Sequence, residues 1–125
     1  MTEYVTTADA LFFHKQLIER YGGAPGLRDA GALESALHRP QTGYYDTLVH
    51  EAAALLEGLV QNHPFVDGNK RTAFAATYTF LAINALYFTA DAEETYVFVS
   101  NLYWANQFRF DKLVPWLRAH VEKRT

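Results

Sequence analysis

The chain contains no cysteine, which excludes a disulfide framework, a thiolate metal site and a cysteine nucleophile. Its N-terminus lacks the basic start and apolar core of a signal peptide. The most apolar stretch, residues 74–90, is interrupted by Thr77, Thr79 and Asn84 and is too short for a membrane span. We therefore expect a cytoplasmic protein that does not bind membranes.

An excess of positive charge is also missing, because 11 Lys and Arg residues face 14 Asp and Glu residues and the net charge is −3. Nucleic-acid-binding domains normally carry a basic face, so direct binding to nucleic acid is not expected. The Gly-x₄-Gly-Lys-Ser/Thr pattern does not occur, which excludes a P-loop NTPase. The histidines form no pair at a metal-ligand spacing, which argues against a zinc site.

What the chain does contain is enough apolar material for one domain, residues 1–125, with half of its residues hydrophobic and 15% aromatic. Apolar residues recur at helical spacing, and capping or turn residues separate six such segments. The sum predicts an all-α fold with a short flap and a short extended segment. The predicted elements are a first helix capped by Thr7 and closed by Gly22, a second helix Ala30–His38 capped by Asp29, an exposed loop at 41–45, a third helix from Asp46 or Thr47 to about Asn62, a fourth from about Asn69 to Asn84, an extended segment at 86–89, a fifth helix capped by Asp91 and ending near Trp104, and a sixth capped by Asp111, with Pro115 in its first turn, ending near Lys123.

The most informative stretch is residues 63–72, His-Pro-Phe-Val-Asp-Gly-Asn-Lys-Arg-Thr, between the third and fourth predicted helices. A helix start presents free backbone N–H groups and a partial positive charge, which together favour a phosphate. Imidazoles titrate near neutrality, and a positioned general base contributes about 10²–10⁴ in rate. His63 is therefore the candidate base that deprotonates a hydroxyl.

The residues after His63 suit a phosphate chain. Asp67 is a candidate ligand for Mg²⁺, which prefers one or two carboxylates together with phosphate oxygens. Gly68 lets the backbone approach a ligand closely, and the Asn69 amide can donate to a phosphate oxygen. Lys70 and Arg71 supply positive charge, Arg71 with bidentate geometry.

Each residue also has a purely structural explanation. A histidine before a proline is often an ordinary surface residue, Asp-Gly-Asn is a common turn and helix cap, and Lys-Arg in a first helical turn is often solvated charge. Thr72 adds either a hydroxyl to the site or only a cap. Singly these explanations are the better ones, but the order, spacing and position of the whole stretch favour a functional site.

The stretch resembles the core motif of Fic-fold proteins: His-Pro-Phe, any residue, an acid, Gly-Asn and a spaced Arg. It is most similar to the Doc (death-on-curing) branch, because Lys70 stands where adenylylating members have glycine and Phe74 where they have a second arginine. The segment 22–29, the following Leu-Glu-Ser-Ala-Leu run and residues 39–41 also resemble that branch, so the similarity spans roughly residues 4–121.

The resemblance implies the toxin of a toxin–antitoxin pair. Such a toxin is a protein kinase that uses ATP and Mg²⁺ to phosphorylate a threonine of elongation factor Tu and so blocks translation. It implies a Phd-like antitoxin as partner, bound in an apolar groove beside the site. Two alternatives stay open: transfer of AMP instead of the γ-phosphate, and an inactive interaction module.

By the same resemblance His63 is the base and Phe65 the core anchor of the loop, while Asp67 holds Mg²⁺ or orients His63. The phosphate cradle comprises Gly68, Asn69, Lys70 and Arg71, and His63, Asp67, Lys70 and Arg71 are the expected catalytic set. Residues 39–45 correspond to a flap that pins the target chain, although Tyr44 and Tyr45 suit plain packing equally well. Glu57-Gly58 lacks the Ser or Thr of an inhibitory helix four residues earlier, where Ala53 stands, so we interpret it as core helix.

Overall fold

A computed structural model describes residues 1–124, with Ala92 described by its backbone alone. Within these residues the chain forms six α-helices and one small antiparallel sheet, which confirms the predicted all-α fold. The two strands of this sheet pair with Leu86 opposite Lys123. In chain order the elements are α1 Thr7–Tyr21, α2 Ala30–His38, a 3₁₀ turn Arg39–Thr42, α3 Leu48–Gln61, α4 Asn69–Ile83, β1 Leu86–Phe88, α5 Ala92–Trp104, α6 Phe110–Ala119 and β2 Val121–Lys123.

Helix α3 is the centre of the fold and packs against α2, α4 and α6. Its alanine run at residues 52–54 is fully buried, so the backbones of neighbouring helices can come close. At Gly58 a Cβ would lie 3.3 Å from the Cβ of Ala36 on α2. A small residue on α3 therefore allows α2 to lie close to it.

The helix starts follow local capping chemistry, with one shift. Asp29, Thr47 and Asp91 each accept a hydrogen bond from a backbone N–H in the first turn of α2, α3 and α5. The cap of α1 is Thr6, not the predicted Thr7, because Thr6 Oγ1 accepts from the Asp9 N–H while the Asp9 carboxylate accepts from the Thr6 N–H. This reciprocal pair is a capping box.

The prediction for the last helix was wrong at both ends. Helix α6 begins at Phe110, one residue before the predicted cap Asp111, because the Phe110 N–H donates to Oε2 of Glu57 on α3 at 2.6 Å. It ends at Ala119 instead of continuing to Lys123, since the following residues pair with β1. Pro115 therefore lies in the second turn and not in the first.

Among the described residues, none of the helices combines the length and the apolar character needed to cross a bilayer. The fold instead positions one loop. Helix α3 ends at Gln61 and α4 begins at Asn69, and both are central to the packing. The predicted site at 63–72 thus connects the two most tightly held helices of the chain.

Candidate active site

The loop between α3 and α4 buries two apolar residues and exposes the polar residues of the predicted site, together with Val66. Pro64 and Phe65 are buried, whereas His63 and Asp67 are exposed. His63 has φ +47°, a left-handed conformation that is uncommon outside glycine. His63 thus stays exposed while the chain enters the core at Phe65.

Phe65 anchors the loop, with 1% of its surface exposed. The His14 ring of α1 stacks on it with 3.9 Å between ring centroids and 7° between the planes. On the polar side, Oδ1 of Asn69 accepts from the Phe65 N–H and Nδ2 donates to the Phe65 carbonyl, both at 2.9 Å. The Asn69 side chain thus closes the loop and keeps one amide N–H beyond its bond to Phe65, while its backbone N–H lies at the start of α4. That the amide binds phosphate stays a prediction.

The segment from Gly26 to Asp29 braces the same loop from outside. Its N–H groups at Arg28 and Asp29 donate to the Pro64 carbonyl at 2.8 and 3.0 Å, and the Val66 N–H donates to the Gly26 carbonyl at 3.0 Å. The Arg28 guanidinium donates to the carbonyls of Asn62 at 2.9 Å and His63 at 2.6 Å. A cation at these carbonyls satisfies the open end of α3, so Arg28 fixes the backbone that carries His63.

Sequence reasoning missed the role of His14, which is 5% exposed. Its Nε2 donates to the Asp67 carbonyl at 2.8 Å, and its ring covers Phe65. His14 thus joins α1 to the loop at two points, Phe65 and Asp67. The only signal in the sequence was a polar residue beside the apolar stripe of α1.

The Asp67 carboxylate accepts two backbone N–H groups. Oδ2 accepts from Ala24 at 3.1 Å and Oδ1 accepts from Gly68 at 2.8 Å. These bonds, that from Ala24 first and that from Gly68 second, hold the pKa of Asp67 below its ordinary value. Asp67 therefore stays ionised on acidification until the pH falls through that lowered pKa, and it carries its negative charge throughout the neutral range.

Asp67 fits a magnesium ion only in part. Within residues 1–124, no cluster of three or more His, Cys, Asp or Glu side chains is arranged to hold a metal. Each Asp67 oxygen keeps a lone pair beyond its backbone bond, so the carboxylate suits an ion that takes its remaining ligands from phosphates and water. The residues present are thus consistent with Mg²⁺ brought in together with a nucleotide.

Gly23 makes the position of Asp67 possible. A Cβ at residue 23 would lie 2.8 Å from Asp67 Oδ2, and the backbone there has φ +112°. We expect Gly23→Ala to displace the carboxylate and to lower the free energy of unfolding by about 1–3 kcal/mol. Urea denaturation followed by circular dichroism measures the loss of stability.

The matched control is Gly22→Ala, since Gly22 also has a positive φ, +85°, but a Cβ there meets nothing within 4 Å. Both substitutions strain the backbone, so the extra effect at residue 23 reports on the close approach to Asp67 and to Ile18 Cδ1, which would lie 3.1 Å from the added Cβ. Equal effects of the two substitutions on stability and on activity would show that the close approach to Asp67 is unimportant.

Helix α4 starts without a side-chain cap in the described structure, and its N-cap is Gly68 with φ +74°. Thr72 N–H donates to the Gly68 carbonyl, while the N–H groups of Asn69, Lys70 and Arg71 point out of the first turn. Lys70 and Arg71 are exposed beside them. The helix end therefore presents backbone donors and two cations in one place, as an anion site requires.

Thr72 does not belong to this site. It is 1% exposed, and its Oγ1 has no hydrogen-bond partner among the described atoms. Because the side chain faces the core, both roles considered for it, ligand contact and helix capping, are wrong. Its methyl group fills space under the first turn of α4.

The predicted site residues share one cavity of about 790 Å³. Its walls come from the loop, the first turns of α4, the end of α1 and one face of α5. Apolar and aromatic side chains form the side opposite the loop. The lining comprises His63, Val66, Asp67, Gly68, Asn69, Lys70 and Arg71, together with Leu17, Tyr21, Phe74, Ala75, Thr95, Tyr96, Val99, Ser100 and Tyr103.

The flap segment lies outside this lining. Its first four residues form the 3₁₀ turn Arg39–Thr42, which takes up the first two residues of the loop predicted at 41–45. Residues 43–45 belong to no helix or strand, as predicted. Arg39 pairs with Glu57 Oε1 at 2.7 Å and donates to the Tyr45 hydroxyl at 2.7 Å, whereas Tyr44 is 80% exposed. Glu57 thus serves the core by joining this turn to α3 and to the start of α6.

Fold and site together define a helical domain that presents an imidazole and a carboxylate beside an anion-binding helix start. A sequence model described as Fic/DOC family matches residues 4–81. Over 96 residues the chain is 45% identical to "Toxin Doc" of Mycolicibacterium smegmatis, covering 73% of this chain and 72% of that protein. Over 87 residues it is 32% identical to "Protein kinase doc" of Escherichia phage P1, covering 66% and 69%.

The chain belongs to the Fic/DOC family. The resemblance predicted from residues 63–72 is thereby confirmed, and both relatives carry the Doc name that Lys70 and Phe74 favoured.

Proposed function

We propose that this chain is the toxin of a toxin–antitoxin pair and a kinase that transfers the γ-phosphate of ATP to a threonine hydroxyl of a protein. One observation carries the proposal: His63, Asp67, two cations and the open start of α4 line a single cavity. The name of the phage P1 relative, a protein kinase, supports the reaction type.

In the proposed reaction His63 takes the proton of the target hydroxyl. The threonine oxygen forms a bond to the γ-phosphorus, the bond from that phosphorus to the β–γ bridging oxygen breaks, and ADP leaves. Lys70, Arg71 and the first N–H groups of α4 stabilise the charge on the phosphate oxygens. Mg²⁺ held by Asp67 would neutralise further charge on the phosphates.

The γ-phosphate is preferred to AMP as the transferred group because of two side chains that face the cavity. Lys70 brings a cation where adenylylating relatives have glycine. Phe74 replaces a second arginine with an apolar ring. Both differences change how a triphosphate would be held in the cavity, and both favour transfer of the γ-phosphate. AMP transfer therefore remains as the second candidate reaction.

The proposed target is elongation factor Tu, and the proposed partner is a Phd-like antitoxin. The rim of the cavity is apolar, and Tyr21 and Tyr96 are 55% and 74% exposed there. This rim is the surface on which the antitoxin would bind beside the site. Arrest of growth on expression, relieved when an antitoxin is co-expressed, tests the toxin assignment independently of the phosphate chemistry.

The reaction is tested with ATP labelled at either the α- or the γ-phosphate, purified elongation factor Tu and Mg²⁺. We expect label on the protein from the γ-position only, and phosphothreonine on hydrolysis. Label from the α-position alone would replace the kinase assignment with AMP transfer. No transfer from either position, to this target or to proteins of a bacterial lysate, would support an inactive interaction module.

A further inference from the structure

The ammonium of Lys70 lies on aromatic rings at the end of α5. Its Nζ is 3.6 Å from the centroid of the Tyr103 ring and 5.3 Å from that of Trp104. Tyr103 is half-buried and lines the cavity, whereas Trp104 is 79% exposed behind it. In the described part of the chain Lys70 forms no ion pair with a carboxylate, so the rings are its charge partners.

An aromatic partner suits a phosphate-binding lysine better than a carboxylate does. The ring face attracts the cation electrostatically but accepts no conventional hydrogen bond. The N–H donors of the ammonium that point away from the ring stay available to phosphate oxygens. A carboxylate would instead occupy a donor and would repel the incoming phosphate.

Contact with an aromatic ring also reduces the conformational freedom of the long lysine side chain. Lysine carries about 2 kcal/mol of rotamer entropy, part of which is otherwise lost when the phosphate binds. The other cation of the cradle is held similarly, because the Arg71 guanidinium carbon lies 4.8 Å from the centroid of the Tyr21 ring at the end of α1. Aromatic residues from two helices thus hold the cations from opposite walls of the cavity.

We propose that Tyr103, backed by Trp104, is a positioning residue that holds the Lys70 ammonium at the cavity wall, ready for the terminal phosphate. The proposal rests on the proposed phosphoryl transfer for its kinetic consequence. The placement of the ammonium on the ring does not depend on it. Tyr103 acts through Lys70 and is not itself assigned a contact with the phosphate.

Removing the Tyr103 ring should leave α5 in place. The helix is held at another point, where Phe98 stacks on Trp116 of α6 with 4.4 Å between ring centroids. Tyr103→Phe keeps the ring face, and Tyr103→Leu removes it at similar bulk. Tyr78→Leu is the matched control, because Tyr78 is 46% exposed on α4 and does not line the cavity.

Steady-state transfer of γ-label is measured for each variant with saturating target. We expect Tyr103→Leu to lower kcat/KM for ATP by roughly 3- to 30-fold, the range expected for loss of a cation–π contact. Tyr103→Phe should stay close to the wild type, as should Tyr78→Leu. An equal loss in the Phe and Leu variants would overturn the proposal, since the hydroxyl and not the ring face would then matter.

A double-mutant cycle separates positioning of Lys70 from general packing. In a Lys70→Met background there is no ammonium to hold, so Tyr103→Leu should cause little further loss of kcat/KM. The same fold-loss in both backgrounds would contradict the assignment. Thermal unfolding of all variants identifies any that lose activity by losing structure.

The contact between Lys70 and the Tyr103 ring can be tested by NMR, without an activity assay. The chain has few lysines (Lys15, Lys70, Lys112 and Lys123), so the side-chain methylene signals of Lys70 can be assigned by NMR. The Tyr103 ring should shift the Lys70 Cε protons upfield, and Tyr103→Leu should abolish that shift while Tyr103→Phe retains it. A Lys70 signal that is the same in the wild type, Tyr103→Leu and Tyr103→Phe would refute the contact. A shifted signal in a protein that transfers no label would instead refute the proposed function alone.

Discussion

Replacing His63 with asparagine should lower the rate of phosphoryl transfer by ~10²–10⁴-fold, the usual contribution of a positioned general base. Asparagine is the informative substitution because of the backbone. His63 has φ +47°, and asparagine adopts this left-handed region more readily than other non-glycine residues. Alanine would add backbone strain to the loss of the imidazole, and the two effects could not be separated.

The measurement is the initial rate of γ-label transfer, with thermal unfolding of the same preparations. His38→Asn serves as the control, since His38 is an exposed histidine at the end of α2 that does not line the cavity. We expect both variants to unfold near the wild-type temperature and only His63→Asn to lose transfer. A His63→Asn protein within threefold of the wild type would remove His63 from the reaction.

The helices and the loop that carries His63 were predictable because their signals are local. Asp29, Thr47 and Asp91 each cap a helix through an N–H three residues ahead, a distance along the chain over which sequence patterns act. Pro64 fixed the end of α3 by restricting the residue before it. The prediction that His63 lies near the start of α4 needed only the short distance along the chain between His63 and Asn69.

The remaining features depend on contacts between residues far apart in the chain. Glu57 caps α6 from α3, and His14 binds Asp67 from α1; each pair is 53 residues apart. No local pattern encodes such a partner, because packing of the helices decides it. The Asn69 amide is a second example: its residue type indicated phosphate binding, but gave no sign that the amide also closes the loop through the N–H and carbonyl of Phe65.

These distant contacts explain why the site is held by more than the motif. Gly23 and Ala24 position the Asp67 carboxylate, Arg28 fixes the carbonyls around His63, and Tyr103 contacts Lys70. These supporting residues all lie outside the motif, on other segments of the chain. We therefore expect substitutions in the supports to change the rate of transfer while every residue of the motif is intact.

Phe65→Ala should produce a large loss of stability. Phe65 is 1% exposed and is covered by the His14 ring, so truncation leaves a cavity where α1 meets the loop between α3 and α4. Phe→Ala substitutions at such sites cost about 3–5 kcal/mol, against total stabilities of roughly 5–15 kcal/mol for domains of this kind. Urea denaturation followed by circular dichroism should show a markedly lower midpoint.

Phe12→Ala is the matched control, because Phe12 is a phenylalanine of α1 that is 56% exposed and its loss should change the free energy of unfolding by under about 1 kcal/mol. Phe65→Leu keeps most of the buried volume and tests the loop itself. Leucine cannot stack on His14, and the Asp67 carbonyl that His14 binds lies only two residues further on. We therefore expect Phe65→Leu to stay folded yet to transfer label more slowly, because the loop holds His63 and Asp67 less firmly. Wild-type stability in Phe65→Ala would mean that the hydrogen bonds from Arg28, Asp29 and Asn69 hold the loop without its anchor.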